Sequence, residues 1–158
     1  MKRVCGLLLV LMAAVAPDVS AQTSVSKFLF LGPGVACCDG GGGSLHLGGG
    51  VEARLRDRVG IGGELGYLSA ADGTGGFGTW SANASYYFGN PAGRLRPFGT
   101  GGYTMFFVSN GSASLWNAGG GVEYAVGRRM ALRLEARDQL MPGGVSHYVN
   151  GRVGIVIR

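Results

Sequence analysis

The chain has 158 residues, 32 of them Gly, a formal net charge of +5, and 46% hydrophobic against only 15% charged residues. So much apolar side chain with so little charge excludes a disordered chain, and the length suits one domain. After Ala21 no apolar run reaches the roughly 18 residues that a membrane helix needs, so the hydrophobicity is spread over alternate positions.

In chain order, Lys2 and Arg3 precede an apolar run from Val4 to Ala16, and Val19-Ser20-Ala21 offers a small-residue cleavage site. This predicts a cleavable signal peptide over 1–21 and a mature domain over 22–158. The competing reading, an uncleaved helical anchor, requires a longer run. Cys5 lies before most of the apolar run and is not placed as a lipidated cysteine.

The first strand is expected from about Ser26 to Ala36, followed by a loop from Cys37 through Gly43. In the second, Leu45, Leu47, Val51, Ala53 and Leu55 share one face and His46, Glu52 and Arg54 the other, a period of two. The turn Arg56-Asp57-Arg58 leads to a third strand with Val59, Ile61, Leu65 and Tyr67 on one side and Glu64 among glycines on the other. A loop over Ala71 to Gly76 precedes the fourth, where Trp80, Ala82, Ala84, Tyr86 and Phe88 alternate with Ser81, Asn83, Ser85 and Tyr87.

Asn90-Pro91-Ala92-Gly93 is turn chemistry. The fifth strand, about Pro97 to Val108, sets Tyr103, Met105 and Phe107 against Thr100 and Thr104; the sixth sets Trp116, Val122 and Tyr124 against Asn117 and Glu123. After Gly127-Arg128-Arg129, the seventh sets Met130, Leu132 and Leu134 against Arg133, Glu135 and Arg137, and the eighth Val149, Val153, Ile155 and Ile157 against Asn150 and Arg152.

Eight segments of alternating hydrophobicity predict an all-β fold, an eight-stranded antiparallel up-and-down transmembrane β-barrel. Closure removes edges that hydrocarbon cannot satisfy. Connections near Asp57, Pro91 and Gly127 read as short periplasmic turns and those near Gly40, Gly73, Gly111 and Gly143 as outer loops, which places both termini in the periplasm. Tyr67, Trp80, Phe107, Trp116 and Tyr148 are expected to form an outer aromatic girdle, and Phe28, Phe88, Phe98 and Tyr124 an inner one.

Glu52, Arg54, Glu64, Glu123, Arg133, Glu135, Arg137 and Arg152 all share the face opposite the apolar side chains. An Arg toward lipid near the midplane would cost about 2 to 4 kcal/mol, so this face is read as a polar lumen. Paired there, the charges would plug a barrel that side chains can fill; the competing reading is a narrow channel for small solutes. Inward glycines such as Gly50, Gly62, Gly121 and Gly154 leave room for the long side chains.

Arg56, Arg58, Arg94, Arg96, Arg128 and Arg129 fall in the short turns, within reach of anionic lipid headgroups. Divided among turns, they do not form a nucleic-acid face. Adjacent Cys37 and Cys38 make neither a relaxed disulfide nor a zinc site, and no metal or cofactor is expected. Gly40 to Gly43 lack the Lys and helix of a phosphate loop.

Arg-Pro-Phe-Gly-Thr-Gly-Gly-Tyr-Thr at 96–104, Gly-Gly-Gly-Val-Glu-Tyr at 119–124 and the alternating last strand resemble the small bacterial outer-membrane β-barrel proteins related to the OmpA and OmpX barrels. The resemblance implies the bacterial outer membrane as location, outer-membrane lipids as surroundings, the barrel assembly machinery as partner during insertion, and a monomer whose external partner is unknown. The family's last strand ends in an aromatic residue, whereas this one ends Ile155-Val156-Ile157-Arg158.

A structural or surface-interaction role is therefore expected, without catalysis. Barrels of the lipid A deacylase type use Ser and His on the outer wall; here Ser146 and His147 point to opposite faces, Val149 replaces the Ser two residues after the His, and no carboxylate is expected to orient His147. His46 is read as an interior polar residue. A soluble lipocalin-like binder shares the alternation but requires the apolar face inward.

Overall fold

The computed structural model describes residues 23–37, 42–73, 75–108, 111–142 and 147–158. The expected signal peptide, Cys38 and Ser146 lie outside them. Eight strands follow one another: β1 Thr23–Cys37, β2 Gly43–Leu55, β3 Val59–Ala70, β4 Gly76–Tyr87, β5 Leu95–Val108, β6 Gly111–Ala125, β7 Met130–Leu140 and β8 His147–Ile157. Every strand pairs antiparallel with its chain neighbours, and β1 pairs with β8 to close the barrel. This is the all-β, eight-stranded antiparallel up-and-down architecture that the alternation predicts, with no free sheet edge.

Strand β7 shows how sequence becomes wall. Ala131, Arg133, Glu135, Arg137 and Gln139 are buried while Leu132 and Leu134 are exposed, because successive side chains leave a strand on opposite sides. The sense is inverted relative to a soluble protein. Leu29 and Leu65 are 69% and 66% exposed, whereas Arg54 and Glu123 are 1% and 0% exposed. Such a surface is satisfied by hydrocarbon and such an interior by paired charge. A lipocalin-like fold is thereby excluded, since its apolar face would point inward.

Thr23, the first described residue, and Arg158 lie at one end of the barrel with the connections 56–58, 88–94 and 126–129; the ends of β3 and β5 and the starts of β4 and β6 lie at the opposite, loop end. Several strands run further toward the loop end than the alternation indicates. Ser69 pairs with Gly76 and Val108 with Gly111, so residues read as loop continue the ladder. The expected contrast between short turns and long loops is consequently weak: 88–94 is longer than 109–110.

At the turn between β2 and β3, Arg56 and Asp57 have φ of 51° and 55°, and the Arg58 amide donates to the Leu55 carbonyl at 3.1 Å. Left-handed backbone at both central residues gives the turn whose twist matches the flanking strands. It sets β2 and β3 in a register that aligns Leu55 with Val59 and Glu52 with Gly62.

Candidate functional site

The lumen gathers the side chains that carry chemistry, in layers from the terminal end to the loop end. In the first layer, Arg54 from β2 donates through Nε to Glu52 Oε1 at 2.6 Å and through Nη1 and Nη2 to the two carboxylate oxygens of Glu123 at 2.9 and 2.6 Å. This is the two-pronged geometry that makes Arg–carboxylate pairing strong. Tyr87 from β4 accepts from Arg54 Nη2 at 2.8 Å and donates to Glu52 Oε1 at 2.7 Å. Arg158 reaches back from beyond β8 to donate to Glu123 Oε2 at 2.8 Å.

Arg133 joins this layer to the next. Its Nη1 donates to the Tyr87 hydroxyl at 3.2 Å and its Nε to Glu135 Oε2 at 3.1 Å. In the second layer Glu64 accepts from Arg137 at 2.9 and 3.1 Å and from Arg152 at 3.0 and 3.3 Å, while Arg152 Nη2 and Arg137 Nε donate to Glu135 Oε1 at 2.7 and 2.8 Å. The structure thus brings Glu52, Arg54, Glu64, Glu123, Arg133, Glu135, Arg137 and Arg152, drawn from five strands, into one connected network. Each is at most 6% exposed, so Arg pairing stands in for the water that each carboxylate has lost.

Aromatic rings complete the filling, and here the sequence reading of the girdles is corrected. Phe28, Phe98 and Tyr148 point into the lumen and are buried, not set against lipid. The Arg133 guanidinium lies 4.0 Å from the Phe98 ring centroid and 5.4 Å from that of Phe28, Arg152 lies 4.3 Å from Phe30, and Arg54 lies 4.2 Å from Tyr87. A guanidinium desolvated in the lumen gains from a ring face. The neighbouring strand makes room: a Cβ on Gly50 or Gly48 would stand 2.7 Å from the ring of Phe28 or Phe30, and one on Gly60 would stand 2.6 Å from the Glu52 carboxyl.

Arg96 is a second correction. It is only 4% exposed, stacks 5.0 Å from the Tyr87 ring and donates to the Asp57 carbonyl oxygen. It belongs to the lumen and not to the headgroup-facing turns, because Leu95 already pairs with Tyr124 and opens β5 two residues earlier than Pro97 suggested. Sequence parity carried the signal: Arg96 is in step with inward Thr100 and Thr104, and Tyr87 with inward Ser81 and Ser85.

Above the charges lies a neutral polar layer. The Ser81 and Thr104 hydroxyls meet at 2.9 Å, the Asn117 amide donates to Thr104 at 2.9 Å, and His46 Nε2 is 3.2 Å from Thr79 Oγ1. Near the loop end the inward residues become apolar: Leu68, Phe106, Leu115 and Tyr148 form a buried cluster with Phe77 and Ala113 against it.

The outer wall carries Tyr67, Trp80, Phe107 and Trp116 toward the loop end and Phe88 and Tyr124 toward the terminal end, all between 40% and 61% exposed. Tyr103 packs edge-on to Trp116 at 5.6 Å, and Tyr86 edge-on to Phe88 at 5.1 Å. On the same wall His147 Nδ1 lies 3.0 Å from Asp138 Oδ2. A carboxylate does therefore orient this His, contrary to expectation, because the β7–β8 register sets Asp138 diagonally across from it. Val149, directly opposite Asp138, offers no nucleophile. Among the described residues no group of three or more His, Cys, Asp or Glu is placed to hold a metal ion.

A closed barrel with an apolar, aromatic-edged wall and a charge-filled interior defines an integral protein of the bacterial outer membrane. The sequence matches the model of the outer membrane protein beta-barrel domain over residues 5–143, and the chain belongs to that family. Among solved structures, the fold is similar to Neisserial surface protein A, NspA, with a TM-score of 0.72 at 12% identity, covering 86% of this chain and 98% of that one. It is also similar to the N-terminal β-barrel domain of Pseudomonas aeruginosa OprF, with a TM-score of 0.62 at 19% identity over 86% and 100%. The outer membrane enzyme PagL shares the architecture at a TM-score of 0.50 and 14% identity, over 84% and 99%. No curated protein matches the sequence.

Proposed function

We propose that the protein is a non-catalytic structural and surface-displaying barrel whose lumen is plugged by the Glu/Arg network. The carrying observation is the connection of four Glu and four Arg through Tyr87 and Arg133 across two layers of the lumen. An eight-stranded barrel is about as wide as its inward side chains, so a network in which every Glu and Arg has an oppositely charged neighbour leaves little cross-section for a solute. Proteoliposomes containing the protein are expected to swell in arabinose no faster than empty vesicles. Faster swelling would restore the narrow-channel reading.

Both termini and the Arg-bearing turns are assigned to the periplasm, and the loop end to the cell surface. Supporting this, the chain runs further at the loop end, from the outward Tyr67 to the outward Trp80, than at the other, from the outward Tyr124 to the outward Met130, and barrels of this class place the longer excursions outside. Outer-membrane lipids surround a monomeric barrel, inserted by the assembly machinery. Against catalysis on the wall stands Val149, where the Asp138–His147 pair would need a hydroxyl. Lipid A mass spectra from cells with and without the protein are expected to be identical, and a lost acyl chain would identify an enzyme.

A further inference from the structure

The exterior of the barrel is charged unevenly. Arg56, Arg58, Arg94, Arg128 and Arg129 all lie in connections at the terminal end, and Asp57 is the one acid in those three connections. Outside the lumen, the loop end carries Asp72 and Asp138 and neither Arg nor Lys among the described residues. None of the five exterior guanidinium groups makes an ion pair or a hydrogen bond among the described residues. Each Arg of the charge network, by contrast, is held by a carboxylate.

Two of the five share one hollow. Arg94, from the connection ahead of β5, and Arg128, from the turn between β6 and β7, line a notch of about 440 Å³ with Tyr124, Ala125, Val126 and Gly127. They become neighbours through strand pairing: the Ala125 amide donates to the Arg94 carbonyl at 2.7 Å, which carries the β5 and β6 ladder one step further to the rim. No Asp or Glu lines the notch. Two like charges in one hollow repel, and the fold supplies no counter-ion. From the notch the outer wall continues in apolar side chains, for Leu95, Tyr124, Leu132 and Ile155 stand side by side across β5, β6, β7 and β8, each between 45% and 57% exposed. The two features together name the occupant, an anion for the Arg pair joined to hydrocarbon for the wall.

We infer that the notch is a binding site for one anionic phospholipid, whose phosphate sits between the Arg94 and Arg128 guanidinium groups while its acyl chains lie along Leu95, Tyr124 and Leu132. Guanidinium forks match phosphate oxygens in geometry as well as in charge. Tyr124 adds an apolar ring with a polar tip, which suits the level where head groups begin. With no carboxylate in the notch to receive an ammonium group, a head group that carries its own cation gains less there than one that is net negative. The site does not depend on whether the charge network seals the lumen, nor on which membrane face the terminal end meets.

The test uses the folded full barrel in detergent, titrated with dioleoylphosphatidylglycerol or with zwitterionic dioleoylphosphatidylcholine and read by native mass spectrometry as the fraction carrying one lipid. Phosphatidylglycerol is expected to bind saturably and at least about tenfold more tightly than phosphatidylcholine, since each Arg near an anionic group contributes on the order of a fivefold gain. Arg94→Gln with Arg128→Gln should bring phosphatidylglycerol down to the level of phosphatidylcholine. Arg56→Gln with Arg58→Gln, which removes the same charge from a different turn, should leave the preference in place, and heat-modifiable gel migration shows that both variants are folded. Excess soluble glycerol 3-phosphate should not displace the lipid; displacement would mean a site for free phosphate esters and overturn the lipid assignment. Equal loss of preference in both double variants would mean diffuse attraction to the rim and overturn the site. Equal affinity for the two lipids in the unaltered protein would overturn it as well, and that comparison stands even where a variant does not fold.

Discussion

Glu123 has no exposed surface, yet its two oxygens accept from Arg54 and from Arg158. Removing one partner of a buried charge pair leaves the other desolvated and uncompensated, at a cost of about 3 to 5 kcal/mol. Glu123→Ala is therefore expected to lower the stability of the barrel toward urea by about that amount, followed by the loss of the compact, heat-modifiable form on gels. An unchanged unfolding midpoint would show that Arg54 finds equivalent partners in Glu52 and Tyr87 alone. Tyr87 has a different role at the same site: its hydroxyl is shared among Arg54, Arg133 and Glu52, so it braces with hydrogen bonds a junction that Arg133 also spans as an ion pair, 3.8 Å from Glu52.

Within an element the governing fact is parity. Strand β3 turns Leu65 outward at 66% exposure and Glu64 inward at 6%, so adjacent residues meet hydrocarbon and paired Arg. Leu65→Arg, halfway along the strand, is expected to cost about 2 to 4 kcal/mol against lipid, measured as the shift in the folding midpoint in vesicles; a neutral result would mean that this face does not meet the bilayer core. Parity was legible in the sequence wherever a strand holds both charges and Leu, Val or Ile, as β2, β3, β6, β7 and β8 do, and it assigned all eight network residues to one face. It was not legible at strand ends. Phe28, Phe98 and Tyr148 look like girdle residues because an aromatic near a strand terminus suits either face until the register is known, and their inward turn depends on Gly50 beside Phe28, on Gly34 beside Tyr148 and on Arg133 above the rings of Phe28 and Phe98. The Asp138–His147 pair was hidden for the same reason, since it is fixed by alignment between two strands and not by spacing within one.

At the scale of the whole molecule, closure joins these strips into a cylinder with three interior zones: a charge network toward the termini, a neutral polar layer, and an apolar vestibule at the loop end. An epitope inserted in the connection 71–75 is expected to bind antibody on intact cells, and one inserted at 91–93 only after the outer membrane is opened. The reverse pattern would invert the assigned orientation. The zones matter for transport because a solute crossing the barrel from the loop end would have to pass Glu64, to which Arg137 and Arg152 are both bound. Single-channel recording in planar bilayers decides whether the proposed Glu/Arg plug closes the barrel. With purified, folded protein in molar potassium chloride a silent membrane is expected; stable, reproducible unitary openings would mean that the lumen is open.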